Sequence, residues 1–273
     1  MVWWSRVGLS VAAAGVGGWA ALRYGWFGCT ALPEPVEHIA LRAPGAPDLA
    51  VAQLRRGHRR LLIMAHGFLK AMHWWPQVSM ARDAARCFDV LCFDFPGHGK
   101  SGGLANISYT RAAAALRCVI DFAATLGYDA IGVVGFSMGA AAAVIAAADG
   151  APVDAVASVA CPGDPPSALA GGRQPSAAWR WFARRLGTRL DVEQHLEQGP
   201  VAVAAGVAPR PLLVVHCGLD TIVRAEDSRA LYAAAAAPKD YLELPRSTHA
   251  WPPAASRPVL RWINACLGAA CDS

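Results

Sequence analysis

The 273-residue sequence predicts an α/β fold in which a doubly wound, mostly parallel sheet carries a small lid insert and follows an apolar N-terminal helix. Two observations predict it. Short apolar, β-branched runs alternate with longer helix-forming runs, and only residues 162–208 interrupt the alternation. Strands that alternate with helices form parallel sheets covered on both faces. We therefore predict an apolar segment over 1–30 and one domain over 31–273, a size compatible with a single core.

The predicted elements begin with a hairpin, because a turn sequence at 44–47 separates two apolar runs at 36–41 and 49–54. The Pro-, Gly- and Arg-rich segment 162–208 would lie above the carboxyl ends of the parallel strands, where such sheets bind ligands, and we expect it to be a lid. The other predicted strands are 61–65, 88–93, 131–135, 153–160, 211–216 and 241–244, and the predicted helices are 76–86, 109–125, 138–148, 225–236 and 258–267.

The N-terminal segment 2–28 is apolar, contains no acidic residue and is rich in tryptophan. Sixteen uncharged residues separate Arg6 from Arg23, and as a helix they would span about 24 Å. A hydrocarbon core is roughly 30 Å thick, so the flanking arginines would have to snorkel. We expect membrane association through this segment. Two alternatives stay open: a cleaved signal, which would make the protein secreted or periplasmic, and an apolar helix docked on the domain.

The net charge of +5 is spread along the chain, apart from four arginines within 55–60 that we interpret as solvated. No basic face is interleaved with stacking aromatic residues, so we predict no nucleic-acid binding. The eight cysteines form no C-x-x-C pair, and Cys92 and Cys217 lie in predicted buried strands as small apolar residues. The sequence contains no metal-ligand spacing and no dinucleotide-binding loop, so we predict neither a metal nor a cofactor.

Residues 131–140, Ile-Gly-Val-Val-Gly-Phe-Ser-Met-Gly-Ala, carry the most specific local signal. An apolar strand leads into Gly-Phe-Ser-Met-Gly and an Ala-rich helix follows, which is the setting of a serine on a sharp strand-to-helix turn. We expect that turn to leave no room for a Cβ atom at Gly135 or Gly139. Ser137 is therefore the candidate nucleophile, and the alternative is an ordinary helix cap.

A nucleophilic serine needs a histidine within hydrogen-bond reach, and that histidine needs a carboxylate. Asp220 follows a buried strand, and His249 follows the last strand and precedes the final helix. Asp164, just after the preceding strand, is the rival acid, in which case Asp220 would cap a helix. The other histidines that compete with His249 are His66, His73, His98 and His216.

These motifs together resemble the α/β-hydrolase-fold serine hydrolases over residues 36–268, and more finely the monoglyceride-lipase-like small esterases. The resemblance implies the order serine, acid, histidine, and it implies that the N–H of Phe68 is one oxyanion donor. Met138, at the start of the helix after the serine, is the other predicted donor. The motifs that carry the resemblance are His66-Gly67-Phe68, the loop 94–101, Gly135-Phe136-Ser137-Met138-Gly139, Gly218-Leu219-Asp220 and His249.

The predicted reaction is hydrolysis of a carboxylic ester through an acyl-enzyme intermediate. Tryptophans beside arginines in the insert, together with the apolar N-terminus, favour a lipid-like ester or thioester. Thioester or peptide cleavage by the same residues stays open, as does a non-catalytic, membrane-tethered binding module. The candidate pocket residues, which could instead pack in the core or the lid, are Trp74, Trp75, Trp179 and Trp181.

Overall fold

The computed structural model describes residues 30–42, 47–105, 108–163, 199–249 and 253–268. The predictions for the apolar N-terminal segment up to residue 29 lie outside the described residues, as do those for most of the lid insert. The predicted site residues outside these ranges are Asp164, Trp179 and Trp181.

Within these ranges, eight strands form one sheet in the order β1-β2-β4-β3-β5-β6-β7-β8. The hairpin β1–β2 and the β2–β4 pair are antiparallel, and the other neighbours are parallel. The mostly parallel sheet is confirmed, with strand bounds within two residues of the prediction. The strands are β1 (Glu37–Leu41), β2 (Leu49–Leu54), β3 (Arg60–Ala65), β4 (Asp89–Phe93), β5 (Ala130–Phe136), β6 (Ala155–Val159), β7 (Leu212–Cys217) and β8 (Lys239–Leu244).

Helices cover both faces of the sheet, as predicted for a doubly wound fold. Buried side chains of α1 and α6 pack on one face, and those of α2, α3 and α5 pack on the other. Pro253 begins α6, whereas the sequence placed the start at Pro258 because proline favours the first helical turn. The helices are α1 (Trp75–Ala84), α2 (Tyr109–Ala124), α3 (Met138–Ala148), α4 (Pro200–Val203), α5 (Ala225–Ala234) and α6 (Pro253–Cys266).

The C-terminal end of the predicted insert packs on the domain. The short α4 leads into a 3₁₀ helix over Ala204–Val207, and both terminal residues of that 3₁₀ helix are buried in the core beside α3. The sequence predicted no element here, because four-residue helices are too short to establish a hydrophobic periodicity.

The segment that enters the domain is fixed to it. The Thr30 N–H donates to the carbonyl of His73 at 2.8 Å, and Leu32 is buried. The Arg56 guanidinium donates to the carbonyls of residues 33–35 at 2.8–3.2 Å. At least one arginine of the basic cluster therefore anchors the entering chain instead of being only solvated. Among the described helices, none has the length and hydropathy that a membrane span requires.

Among the cysteines in the described ranges, Cys87 alone departs from the prediction. Cys92 and Cys217 are free and buried, and burial raises the pKa of each thiol to about 12. Cys87, by contrast, is disulfide-bonded. The sequence did not predict this bond because no second cysteine stands at a diagnostic spacing from Cys87.

Candidate active site

Ser137 lies on a strained turn between β5 and α3. Its φ of 52° and ψ of −116° are rare for a residue other than glycine. Its N–H donates to the carbonyl of Val159 at 2.9 Å, and its own carbonyl accepts from the N–H groups of Ala140 and Ala141. The neighbouring strand β6 and the first turn of α3 together hold the serine in this conformation.

The turn depends on glycines that bring three backbone segments close together. A Cβ atom on Gly135 would lie 2.3 Å from the carbonyl oxygen of Gly139, and one on Gly139 would lie 2.3 Å from that of Ala65. The prediction that neither position has room for a Cβ is confirmed. A Cβ on Gly67 would lie 3.3 Å from the Cβ of Ser137, so the chain leaving β3 runs directly beside the serine.

The structure brings Ser137, Asp220 and His249 together from three separate loops. His249 Nε2 lies 3.2 Å from Ser137 Oγ, and His249 Nδ1 lies 2.7 Å from Asp220 Oδ2. Because a carboxylate only accepts, we assign the ring proton to Nδ1. The lone pair of Nε2 then faces the serine hydroxyl. This arrangement can withdraw a proton from Oγ.

Asp220 is held as an anion by its surroundings. Its Oδ1 atom accepts from the N–H groups of Ile222 and Val223 at 2.8 and 2.9 Å. Partial burial alone would raise the pKa of this carboxyl, but the hydrogen bond and charge of His249 and the two N–H groups lower it overall. The carboxylate can therefore orient the ring and stabilise its protonated form.

Two backbone N–H groups border the serine. The parallel strands β3 and β5 are neighbours, and Ala65 of β3 lies opposite Gly135 of β5. Phe68 and Met138 each follow three residues after one member of that pair, so both leave the sheet at the same edge. Within the described ranges, neither the Phe68 N–H nor the Met138 N–H donates a hydrogen bond. Unpaired donors at such a position can accept a developing negative charge on a substrate oxygen.

Trp74 and Trp75, predicted as pocket residues, occupy different environments. Trp74 is buried, and its ring centroid lies 5.2 Å from that of Phe136, which in turn lies 5.0 Å from that of His249. This contact matches the packing alternative, in which Trp74 supports the ring behind His249. Trp75 is partly exposed at the start of α1 and packs against the same core.

His66, one of the competing histidines, is buried in a hydrogen-bond network that the sequence did not predict. Its Nε2 accepts from the Phe95 N–H at 3.0 Å, and its Nδ1 donates to the carbonyl of Gly67 at 2.8 Å. Burial lowers its pKa to about 4, so the ring is neutral. Asp94 Oδ1 lies 4.0 Å from Nε2, but this contact is not an ion pair because the ring is uncharged.

His216, another competitor, is buried in β7, where its Nδ1 lies 3.4 Å from the hydroxyl of Ser228. It is therefore a core histidine, as its strand position indicated. Among the described residues, no three His, Cys, Asp or Glu side chains are grouped so that they could hold a metal ion.

Comparisons with known proteins identify the fold. A family model described as "alpha/beta hydrolase fold" matches residues 60–197, which is half of the chain. No curated protein matches the sequence. Similar solved structures include an esterase of Pyrococcus furiosus (18% identity, 85% of this chain and 91% of that chain, TM-score 0.65) and Est1E of Butyrivibrio proteoclasticus bound to ferulic acid (18%, 84% and 99%, 0.65). A hydrolase of Pseudomonas aeruginosa is also similar (17% identity, 86% of this chain and 99% of that chain, TM-score 0.61). At sequence identities this low, the similarity shows a shared fold and nothing finer.

Proposed function

Because the chain belongs to the α/β-hydrolase family, we propose that it is a serine hydrolase that cleaves a carboxylic ester through an acyl-enzyme intermediate. The observation that carries the proposal is the continuous hydrogen-bonded series from Ser137 Oγ through His249 to Asp220, with contacts of 3.2 and 2.7 Å. A serine hydroxyl becomes an effective nucleophile when a correctly oriented base takes its proton.

In the first step Ser137 Oγ attacks the carbonyl carbon of the ester, and His249 Nε2 takes the hydroxyl proton. Asp220 keeps the other ring nitrogen protonated and stabilises the resulting imidazolium. The carbonyl π electrons move onto its oxygen, which becomes an oxyanion. This proton transfer requires no rotation of the ring, because Nε2 already faces Oγ.

The N–H groups of Phe68 and Met138 donate to that oxyanion. Both are backbone donors on rigid segments, so they need little reorganisation when charge develops. Removal of one such donor from a hydrolase typically costs about 3 kcal/mol of transition-state stabilisation. The N-terminus of α3 adds a favourable dipole at the Met138 donor.

The tetrahedral intermediate then collapses. Its C–O bond to the alcohol breaks, and the alcohol leaves with the proton that His249 holds. A water molecule next gives a proton to His249 and attacks the acyl carbon. Collapse of the second intermediate releases the carboxylic acid and returns the proton to Ser137.

We propose a lipid-like acyl ester as the substrate. In the described part of the chain three large apolar side chains are exposed: Leu104, Leu219 and Ile222. Leu219 and Ile222 flank Asp220, and Leu104 follows β4, so all three lie in loops at the carboxyl edge that carries Ser137. The similar Pyrococcus furiosus protein is an esterase, and Est1E binds ferulic acid, a carboxylic acid; both are consistent with an acyl ester as the substrate.

We also propose that residues 2–28 associate the protein with a membrane. Two observations support this. The segment is apolar, and the chain enters the domain at Thr30, whose N–H donates to the carbonyl of His73, the residue before Trp74. That entry point lies next to the segment that carries the Phe68 donor. A membrane-bound N-terminus would therefore hold this edge of the sheet near lipid.

The test is labelling of the full-length protein with a fluorophosphonate, which modifies activated serines. We expect one adduct on Ser137, no adduct in Ser137→Ala, and an unchanged adduct in the control Ser79→Ala, whose serine lies in α1. Absence of labelling in the wild-type protein, together with inactivity on esters, would favour the non-catalytic binding module. Matched esters, thioesters and amides of one acyl chain then distinguish esterase, thioesterase and peptidase activity.

A further inference from the structure

The segment 66–72, which we call the oxyanion loop, contains a second strained residue. Leu69, directly after the Phe68 donor, has a φ of 59°. The loop turns tightly here, because the Lys70 N–H donates to the carbonyl of Gly67 at 3.1 Å. A residue other than glycine persists at positive φ only when its surroundings hold it there, at a cost of about 1–3 kcal/mol. Leu69 therefore requires a restraint.

His98 supplies that restraint from the loop after β4. Its Nε2 accepts from the Leu69 N–H at 3.2 Å, and its Nδ1 lies 3.0 Å from the carbonyl oxygen of Pro96. A carbonyl only accepts, so Nδ1 carries the proton and Nε2 presents its lone pair to Leu69. The His98 and Phe68 rings also meet edge to face, with centroids 5.5 Å apart.

The surroundings keep His98 in the form that can accept. Only 1% of the residue is exposed, and burial together with the neighbouring His66 lowers its pKa to about 3, although Pro96 and Asp94 act in the opposite direction. Its backbone N–H donates to the carbonyl of Phe95 at 3.0 Å. The ring is thus neutral and fixed in position at physiological pH.

Asp94 secures the far end of the oxyanion loop. Its carboxylate accepts from the N–H of Met72 at 2.7 Å and from the N–H of Lys100 at 2.8 Å. A Cβ on Gly99 would lie 2.1 Å from that carboxylate, so glycine is required where the loop after β4 folds around it. Leu69 and Met72 are thus both tied to the same neighbouring loop.

We propose that His98 is a positioning residue that keeps the Phe68 N–H aimed into the oxyanion hole by accepting the N–H of Leu69. The inference rests on the proposed function. His98 contacts no reacting atom, and the loss of its acceptor would leave the Leu69 N–H unpaired and allow Leu69 to leave positive φ. The chain after Phe68 would then change direction, and the preceding peptide group, which carries the Phe68 N–H, would no longer be held in place. Stabilisation of the transition state would fall, while binding of the substrate would change little.

Two amide substitutions at position 98 test this assignment in the full-length protein. The amide of His98→Asn can still donate to Pro96 but is too short to reach Leu69. The longer amide of His98→Gln can place an oxygen near the position of Nε2. We expect His98→Asn to lower kcat about 10- to 100-fold with KM changed less than about threefold, and His98→Gln to recover most of kcat.

A boronic acid that forms a tetrahedral adduct with the serine supplies a second readout. Its affinity should fall in His98→Asn by the same factor as kcat, because the adduct places an oxygen in the oxyanion hole. Val119→Ala, which removes buried volume from α2, is the stability control; it should lower Tm and leave boronate affinity unchanged.

The outcomes separate the two proposals. If folded His98→Asn keeps kcat and boronate affinity within twofold of wild type, the positioning role is wrong and the serine-hydrolase mechanism stands. If His98→Asn does not fold, equal losses of boronate affinity in folded His98→Gln and in Val119→Ala would likewise overturn the positioning role. If wild-type protein neither hydrolyses esters nor binds the boronate, the proposed function fails, and the positioning role fails with it.

Discussion

Asp220 and His249 lie in different loops, yet Asp220 Oδ2 and His249 Nδ1 are 2.7 Å apart. Backbone hydrogen bonds hold the two loops together, since the Leu219 N–H donates to the carbonyl of Ser247 at 2.8 Å and the Gly218 N–H to that of Leu244 at 2.9 Å. The distance between the two side chains is therefore set by backbone pairing between the chain segments that leave β7 and β8. It does not depend on the side chains alone.

We predict that Asp220→Asn lowers kcat by orders of magnitude, and by about ten-thousandfold if the loss matches that in serine proteases. An asparagine that donates its amide N–H to Nδ1 would favour the wrong tautomer of His249. Steady-state kinetics at pH 7–8 measures the effect. Asp164→Asn is the matched control and should have a minor effect; the reverse pattern would transfer the acid role to Asp164.

We predict that Gly139→Ala destabilises the fold by roughly 1–3 kcal/mol or prevents folding. The new Cβ would meet the backbone carbonyl of Ala65 at 2.3 Å, and backbone atoms in the sheet cannot move aside cheaply. Gly102→Ala is the control, since its Cβ would have no neighbour closer than 3.5 Å. Urea unfolding should show a change within about 0.5 kcal/mol for the control. Equal stability of both variants would contradict this account of the turn.

We predict that stability falls steeply with acidification below pH 6.5. Folded His66 and His98 have pKa values of about 4 and about 3, below the ordinary 6.5, so the unfolded chain binds more protons between these values. Their contribution is fully present above pH 6.5 and is lost as pH falls toward 4 and 3. At pH 5 they add about 2.5 kcal/mol per pH unit to the slope.

The measurement for this pH prediction is the free energy of unfolding in urea between pH 5 and pH 7, compared with that of His98→Gln. The variant lacks one titrating group, so proton uptake on unfolding at pH 5 should decrease by about one proton. An identical slope in the two proteins would show that His98 is already charged, or accessible to protons, in the folded state.

We predict that deletion of residues 2–28 releases an active, soluble domain, because every predicted catalytic residue lies downstream. Deletion of residues 2–35 should instead destabilise it, since buried Leu32 is lost and the Arg56 guanidinium loses the three carbonyl partners that residues 33–35 supply. Full-length protein should remain with membranes after carbonate extraction. A mature protein that begins near Leu32 would indicate a cleaved signal, and unfolding of the 2–28 deletion would indicate a helix packed on the domain.

Much of the fold could be predicted because its signals are local. Each parallel strand is a short β-branched run between helix-forming runs, and the glycines around Ser137 directly reflect the tight turn. The candidate serine, acid and histidine each follow the end of a predicted strand, and the family resemblance implied their order. Each of these signals lies in residues that are close in sequence, so a single amino-acid sequence was sufficient to predict the corresponding feature.

The features that the sequence did not predict are contacts between distant segments. The Leu69 N–H and His98 are 29 residues apart, and no spacing rule links a backbone N–H to a histidine in another loop. The same is true of Arg56, which donates to the carbonyls of residues 33–35. For Trp74 the sequence could not decide between core and pocket, because a tryptophan is equally suitable for both. Such contacts require the packed structure, because backbone partners leave no pattern in side-chain identity.

The most direct test of the central claim is mass spectrometry of the protein quenched within milliseconds of mixing with an activated ester. The account predicts a mass increase of one acyl group, mapped to the peptide that contains Ser137, which forms and decays at rates consistent with turnover. Ser137→Ala should show neither the adduct nor hydrolysis. An acyl group on another residue, or ester turnover in Ser137→Ala at the wild-type rate, would contradict the account.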